Sequence, residues 1–511
     1  MKRGSCRKEE YVSSAKTTMT VSGRQYLNQL QGAARINTLR CVSQSSQSEI
    51  EQTVASQTTA QAHRSSSPTR PDTELFLISD LHLGGDGSLG ECDFLPELMQ
   101  FLETLRAHAQ ASERPVELII VGDLFGFWEV SGVQGTAMLE HIIAEFSDLF
   151  EQFRLTGETV AITATPGNHD HDLACNPGFA PILARYNITL DPSYSITRRC
   201  GDATVWIEHG NQHDSFNAFE PWDDPYVHPV GYYIAQKLVR AAALRSTLGR
   251  KDWLGDMESV NPSENVPNWV LSNYFYREMN PLLRWIALPF LVFSMLTVAL
   301  LLATALETFS VLPTAFFRDP WLLRTPFLGI ALQWFFTINV GVILVLLLAA
   351  IPGWILLRDV RKALDRYDLR FSRTRRLQKD ARYLDAARAV FDAHPEAAIF
   401  VYGHTHNPSL TKIGNRAVIN TGTWLKRLSR LRSRWTLVPD IYYPSFRIGY
   451  FRLVPDDEGV VVEYHPIEKR TPRELTLLQR VLTWRKRGGP DDTTIPRRTV
   501  IRPPKLTPTR L

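Results

Sequence analysis

Along residues 73–280 and 380–470, short apolar runs are followed by polar clusters, as expected of sheet strands that are buried and deliver functional groups at their ends. Residues 74–79 run into Asp80, Leu81 and His82, and residues 117–121 into Gly122 and Asp123. Residues 159–163 lead to Pro166-Gly167-Asn168-His169-Asp170, residues 204–207 to the stretch from Glu208 to Asp214, and residues 398–402 to Gly403-His404-Thr405-His406. Two further apolar runs are far longer. No Asp, Glu, Lys, Arg or His occurs from Trp285 to Leu306, nor from Thr325 to Leu357, where Gln333 and Asn339 are the only amides. About 20 such residues cross the hydrocarbon core of a bilayer as a helix, so the pattern predicts two spans, the second within 331–356 and edged by Trp334 and Trp354. A pair of buried core helices is the alternative, which their length and lack of charge oppose.

The link 307–324 carries only Glu307, Arg318, Asp319 and Arg324, so the spans form a hairpin with both outer flanks on one side. Arg358, Arg361, Lys362, Arg366 and Arg370 follow the second span, and Arg277 and Arg284 lie at the first; the positive-inside rule makes that side cytoplasmic. The predicted organisation is a disordered segment over 1–72, a first sheet-bearing part of one domain over 73–280, the helical hairpin over 281–358, the second part of that domain over 359–470, and a helix with a disordered tail over 471–511. The first segment is rich in Ser, Thr and Gln and lacks the apolar core of a secretory signal; an over-extended translation start accounts for it equally well. Thr471 and Glu474 suggest a capping box for the last helix, and 487–511 reads as a Pro-rich basic tail.

Composition narrows the picture. A net charge of +4 over 511 residues gives no reason to expect nucleic acid as partner. The five cysteines are widely spaced with no C-x-x-C, which indicates neither a disulfide framework nor a zinc ribbon and fits a reducing compartment. The mean hydropathy, slightly below zero, conceals the two apolar blocks.

In α/β sheets, ligands are bound at the carboxyl ends of strands, so five strands ending in Asp, His and Asn propose one convergent site. Asp80, His82, Asp123, Asn168, His209, His404 and His406 offer carboxylate, amide and imidazole donors, enough for two divalent cations sharing one bridging carboxylate. Residues i and i+2 of an extended chain point the same way, so Asp80 with His82, and His404 with His406, can each serve one cavity. A cation pair of this kind activates water and neutralises the charge that develops on a phosphoryl group during in-line displacement. Imidazole-rich, thiolate-free donors suit Mn, Fe or Zn better than Ca.

The ordered set D-x-H (80–82), G-D (122–123), G-N-H-D (167–170), H-G (209–210) and G-H-T-H (403–406) resembles the calcineurin-like metallophosphoesterase family. The resemblance implies a four-layer α/β/β/α sandwich, here interrupted by the transmembrane hairpin. It also implies one cation on Asp80, His82, Asp123 and His406, and a second on Asp123, Asn168, His209 and His404, with Asp123 as the bridge. His169 is similar to the family's histidine that contacts the substrate phosphate and protonates the leaving oxygen, with Asp170 orienting it. His171, His213 and Asp214 lie near these motifs and read equally as ordinary loop residues.

Residues 122–128 lack the Arg of the G-D-x-V-D-R-G type, which disfavours the protein Ser/Thr phosphatase branch. G-D-L-F-x-F-W with H-G-x-x-x-D is similar to the UDP-2,3-diacylglucosamine diphosphatase-like branch, whose substrate is a lipid-linked nucleotide diphosphate. Members of that branch commonly have Arg where this chain has His169, and they are peripheral to the membrane. The expected activity is hydrolysis of a phosphoester or diphosphate, the leading substrate class being lipid-linked or membrane-proximal. Two other readings stay open: a phosphodiesterase of soluble, cyclic-nucleotide-type substrates merely anchored at the membrane, and a non-catalytic membrane scaffold. Segments 228–248 and 425–435, basic and apolar, either rest on anionic headgroups or pack on the domain.

Overall fold

The computed structural model describes residues 72–84, 92–128, 130, 132–234, 260, 265–313, 324–366, 375–433, 438–469, 475–483 and 495–502. The expected N-terminal disorder and most of segment 228–248 lie outside them. In chain order the elements that position the site begin with β1 (Glu74–Ile78), α1 (Leu95–Ala111), β2 (Val116–Val121), α2 (Thr136–Glu145), α3 (Ser147–Thr156) and β3 (Ala161–Thr165). Next come α4 (Phe179–Ala184), β4 (Ile188–Leu190), β5 (Ser195–Cys200), β6 (Ala203–Glu208), α5 (Val266–Asn273), α6 (Pro281–Thr308), α7 (Leu328–Arg366) and α8 (Arg375–Ala393). The chain closes with β7 (Ala397–Tyr402), β8 (Ser409–Ile413), β9 (Arg416–Asn420), β10 (Arg427–Leu431), β11 (Ile441–Ser445), β12 (Gly449–Asp456), β13 (Gly459–Pro466), α9 (Leu477–Leu482) and β14 (Arg498–Ile501).

Two mixed sheets carry the site. The larger runs β14-β13-β12-β1-β2-β3-β4, with β1 to β4 mutually parallel; the smaller runs β5-β6-β7-β9-β8, with β6, β7 and β9 parallel. The two-residue period of a strand explains how both faces of the larger sheet are filled. Leu75, Leu77, Ile119 and Val121 point one way, into a core shared with Val205, Ile207, Ile399 and Val401 of the smaller sheet. Their alternates Phe76, Ile78, Leu118 and Ile120 point the other way, against Leu98, Leu102, Leu105, Phe150 and Phe153 of α1 and α3. On the far side of the smaller sheet, α8 lays Tyr383 on Tyr402, ring centroids 4.5 Å apart. The order of layers is thus helix, sheet, sheet, helix, an α/β fold with mixed sheets of the kind expected.

Four of the five expected strands fall where the pattern puts them. The third starts at Ala161 rather than Thr159, because the N–H groups of Thr159 and Val160 are still bonded to Thr156 O at the end of the preceding helix. The expected C-terminal tail is corrected: Arg498–Ile501 adds an edge strand to the larger sheet, with Ile501 buried in the inter-sheet core. The last helix is capped by Thr476 and Gln479, which bond reciprocally, and not by Thr471 and Glu474, which lie outside the described residues. In segment 425–435, Arg427–Leu431 forms β10, hairpinned with β11, and buries Leu428 and Leu431.

The inserted helices are as long as the apolar runs require. Among the described residues one helix, over Leu328–Leu356, is long and apolar enough to cross a membrane; the apolar stretch of its neighbour is shorter, Val292–Thr308. The pair touches through Phe293 on Phe335 and through Ser294 Oγ donating to Asn339 Oδ1 at 2.7 Å. Leu346, Leu348 and Trp354 on the longer helix are 61–70% exposed.

Two buried charge arrangements tie the layers. Arg198 of β5 donates from Nε to both Glu117 oxygens, at 3.0 and 3.1 Å, joining the edge of one sheet to the middle of the other. On β1, burial pushes the Glu74 carboxyl up, but the bonds from His108 and Arg452 outweigh it and hold the group below its ordinary value. Arg198→Met in the full chain should cost about 3–5 kcal/mol in denaturant unfolding, and Glu117→Leu with Arg198→Met together much less than the sum of the single changes. Glu74 contributes stability that is present above the unfolded carboxylate pKa of about 4.3 and lost as pH falls through its lower folded value. Glu74→Gln should therefore be less stable than the parent at pH 7, with the gap closing in unfolding curves taken at increasingly acid pH.

Candidate metal centre

The parallel strands β1, β2, β3, β6 and β7 all end at one edge of the facing sheets, and the residues after them turn toward each other. That turning demands unusual backbone. Asp80, His82, Asp123, His404 and His406 all have positive φ, between 45° and 61°, and they are five of the eight non-glycine residues so placed among those described. Left-handed backbone costs an L-residue roughly 1–2 kcal/mol, and its concentration here marks a site over which the surrounding fold has control. Two glycines make room. Gly122 has φ +73°, and a Cβ on it would lie 2.3 Å from His209 Nδ1; a Cβ on Gly167 would lie 2.2 Å from Asp123 Oδ1.

The side chains form one chain of contacts. His406 Nε2 lies 3.0 Å from Asp80 Oδ1, and His82 Nε2 lies 3.9 Å from the same oxygen and 3.4 Å from Asp123 Oδ2. From Asp123 Oδ2 it is 3.1 Å to His209 Nε2, which in turn sits 3.2 Å from Asn168 Oδ1. The His404 ring centroid is 5.3 Å from that of His209. Three overlapping groups bring their donor atoms within 4.8 Å of one another: Asp80, His82 and His406; His82, Asp123 and His169; Asp123, His209 and His404. His82 and Asp123 are each shared by two groups. All seven residues expected as ligands, together with His169, therefore meet at one place.

This donor set suits divalent cations. Asp80 Oδ1 is buried and accepts no hydrogen bond although His406 Nε2 is within reach, a geometry of two donors facing a common point. Val121 O can only accept, so His209 donates to it from Nδ1 at 3.0 Å and turns Nε2 toward Asp123. Burial lowers the His209 imidazole, but Asp123 and then Asp80 outweigh it and push it up to about 10. Burial likewise raises Asp123 and Asp80, while His209 at the first and His406 at the second hold both carboxyls below the ordinary range. The buried carboxylates thus create a potential that draws positive charge to this point.

The neighbouring residues divide. The His169 ring packs edge-on to His82 at 4.4 Å and stacks on Trp128 at 4.0 Å, while the backbone N–H of His169 donates to Asp123 Oδ1 at 2.8 Å. Asp170 does not orient His169. The next side chain along the turn points inward, and its carboxyl accepts from Gly167 N at 2.6 Å and Phe125 N at 3.1 Å, clamping the β2 and β3 loops together. Burial, with the charge of Asp123, pushes it up to about 7. His171 is a core histidine, stacked on Phe219 at 3.7 Å with Nε2 bonded to Trp222 O; burial lowers it to about 4. His213 pairs with Glu208 at 2.7 Å, whereas Asp214 reaches His404 Nε2 at 3.3 Å.

The loop after β9 was not singled out in the sequence, yet it braces the site. Thr421 Oγ1 donates to Ser79 Oγ at 2.6 Å, Thr423 Oγ1 to Asp80 O at 2.8 Å, and Asn420 Nδ2 to Thr405 Oγ1 at 2.5 Å. The signal was there: residues 417–419 are a sixth apolar run ending in a polar cluster, Asn420-Thr421-Gly422-Thr423.

The family model of the calcineurin-like phosphoesterases matches residues 74–273. Residues 74–273 carry a calcineurin-like phosphoesterase domain, and the chain is an enzyme, a hydrolase acting on phosphoesters; proteins with that domain use divalent metals. His404 and His406 lie beyond the matched region, and the fold brings them to it. No curated protein matches the chain. A crystal structure of a conserved uncharacterized protein from Streptococcus pneumoniae TIGR4, described as a predicted phosphoesterase, is similar at 11% identity and a TM-score of 0.23, over 77% of this chain and 92% of that one.

Gly167→Ala should displace the Asp123 carboxyl and lower metal-dependent phosphodiester turnover by about 10²-fold, the order of loss expected of a 1 Å misplacement, with the far-ultraviolet circular dichroism unchanged.

Proposed function

We propose that the chain is a membrane-anchored phosphoesterase that uses two divalent cations, drawn from Mn, Fe or Zn, to hydrolyse a phosphoester or diphosphate bond of a lipid-linked or membrane-proximal substrate. Asp80, His82, Asp123 and His406 would hold one cation, and Asp123, Asn168, His209 and His404 the other. When bound, the cation pair supplies an activated water and neutralises charge on the phosphoryl oxygens. His169, half-buried beside His82, faces the phosphoryl group and delivers a proton to the leaving oxygen. Trp128 stacked on its ring fixes that imidazole, the part first assigned to Asp170. Asp214 holds His404 through Nε2.

One observation carries the membrane half of the reading. Helices α6 and α7 interrupt the catalytic unit, entering after the strand that delivers His209 and leaving before the strand that delivers His404. Both flanks of a two-pass hairpin lie on one side, which the Lys and Arg after the second helix make cytoplasmic. Arg358 lies over Trp354, 5.6 Å from the ring centroid, an aromatic and basic pair of the sort that marks a headgroup boundary.

The test compares hydrolysis of a lipid-linked nucleotide diphosphate in mixed micelles with that of a water-soluble phosphodiester by the Mn-loaded full chain. Turnover of the lipid substrate that disappears in Asp123→Ala is the expected result. Turnover of the soluble diester alone would overturn the substrate class, and silence on both with two metals bound would overturn the catalytic reading.

A further inference from the structure

Just before the inserted helices in the chain, α5 joins a small module that the proposed chemistry does not use. It consists of α5 with the π-helical turn Tyr274–Glu278 that extends it, the β10-β11 hairpin, and α9. Phe275 and Tyr276 pack with Leu431, Ile441, Tyr443 and Leu482 in one core, and Trp269 with Leu428 and Tyr442 in another. Each helix of the module therefore buries one face. The opposite faces are apolar as well: Leu271 is 55% and Tyr274 48% exposed on one, and Leu477 82% and Val481 55% on the other. Their spacings, i and i+3 on the first and i and i+4 on the second, put each pair on a single helical stripe.

The position of the module says what covers these stripes. The turn ends at Glu278, and Asn280 caps α6 by accepting from Leu282 N at 2.9 Å. With 28 residues at 1.5 Å each, α6 is about 42 Å long, against roughly 30 Å for a hydrocarbon core and 40–45 Å with its headgroups. A spanning α6 therefore starts in the headgroup layer. Leu282 and Leu283, 68% and 52% exposed, continue the apolar surface from the module into that first turn. The module is two residues from the layer and cannot leave it.

We propose that this module is an interfacial membrane contact: α5 with its π-turn, and α9, lie at the phospholipid headgroup layer with Leu271, Tyr274, Leu477 and Val481 inserted at the acyl boundary. The inference rests on the membrane-anchored reading and adds to it a second contact besides the spans. A flexible tether would let the sandwich tumble above the bilayer. A module bonded to the same polypeptide, with Tyr276 donating to Pro439 O at 2.8 Å across it, fixes the height and tilt of the site instead.

The experiment uses the full chain in vesicles of equal parts phosphatidylcholine and phosphatidylglycerol. A fluorescent unnatural residue is placed singly at Leu271, Leu477, Val345 or Glu458, and quenching is measured with nitroxide lipids labelled at the headgroup or deep in the acyl chain. Headgroup-nitroxide quenching several-fold stronger at Leu271 and Leu477 than at Glu458, with deep quenching at Val345, is expected. Quenching at Leu271 and Leu477 no greater than at Glu458, while Val345 is quenched, would overturn the contact and leave the span standing. Absence of quenching at Val345 would overturn the membrane reading and the contact with it. All four positions are exposed, so none of the substitutions disturbs a core.

Discussion

Two carboxylates, Asp80 and Asp123, are buried within reach of the same imidazoles, and the rest of the architecture can be read as the means of keeping them there. Buried carboxylates neutralise themselves by taking up protons unless positive charge is supplied. Here burial works to raise both groups while His209 and His406 hold them below the ordinary range; at Asp170, burial and the charge of Asp123 outweigh the Gly167 and Phe125 N–H bonds and push the carboxyl up.

Holding this charge in place requires the backbone to be bent where it would not bend by itself. The left-handed residues at the ends of β1, β2 and β7 are braced from several directions: Asp170 clamps the β2 loop to the β3 loop, the Thr421 and Thr423 hydroxyls hold the β1 loop, and Asn420 holds Thr405 of the β7 loop. The bent loops rest on strands packed by apolar clusters on both faces, which gives them a stiff support. Distant pieces of sequence thereby become mutual constraints, Ser79 and Gly422 being in direct contact across 343 positions.

Much of this was legible in the chain because the chemistry sits at strand ends. Apolar runs closing in Asp80, Asp123, Asn168, His209 and His404 announced both the strands and the site, and the i, i+2 pairs announced which side chains share a cavity. What was illegible depended on direction. Adjacent residues such as His169 and Asp170 point to opposite sides of a turn, and no spacing rule tells which one turns inward. His171 lies near the motifs and left both a site role and an ordinary loop role open; aromatic neighbours from the 219–222 loop absorb it into the core. The strand Arg498–Ile501 was hidden by the Pro-rich sequence around it, since edge pairing needs only a short β-branched run. The two-pass reading rested on runs of uncharged residues, of which the second gives the longer apolar helix.

The place of the helix pair within the chain also has a consequence for biosynthesis. A ribosome delivers the strands bearing Asp80, Asp123, Asn168 and His209 first, then the apolar helices, and only afterwards His404, His406 and the strands β12 and β13 that extend the sheet beyond β1. At roughly 5–20 residues per second, the nascent chain spends many seconds with half a site and an incomplete sheet. The polypeptide cannot assemble its full set of donors before both apolar helices have been synthesised, so the order of synthesis delays activity until the inserted helices exist.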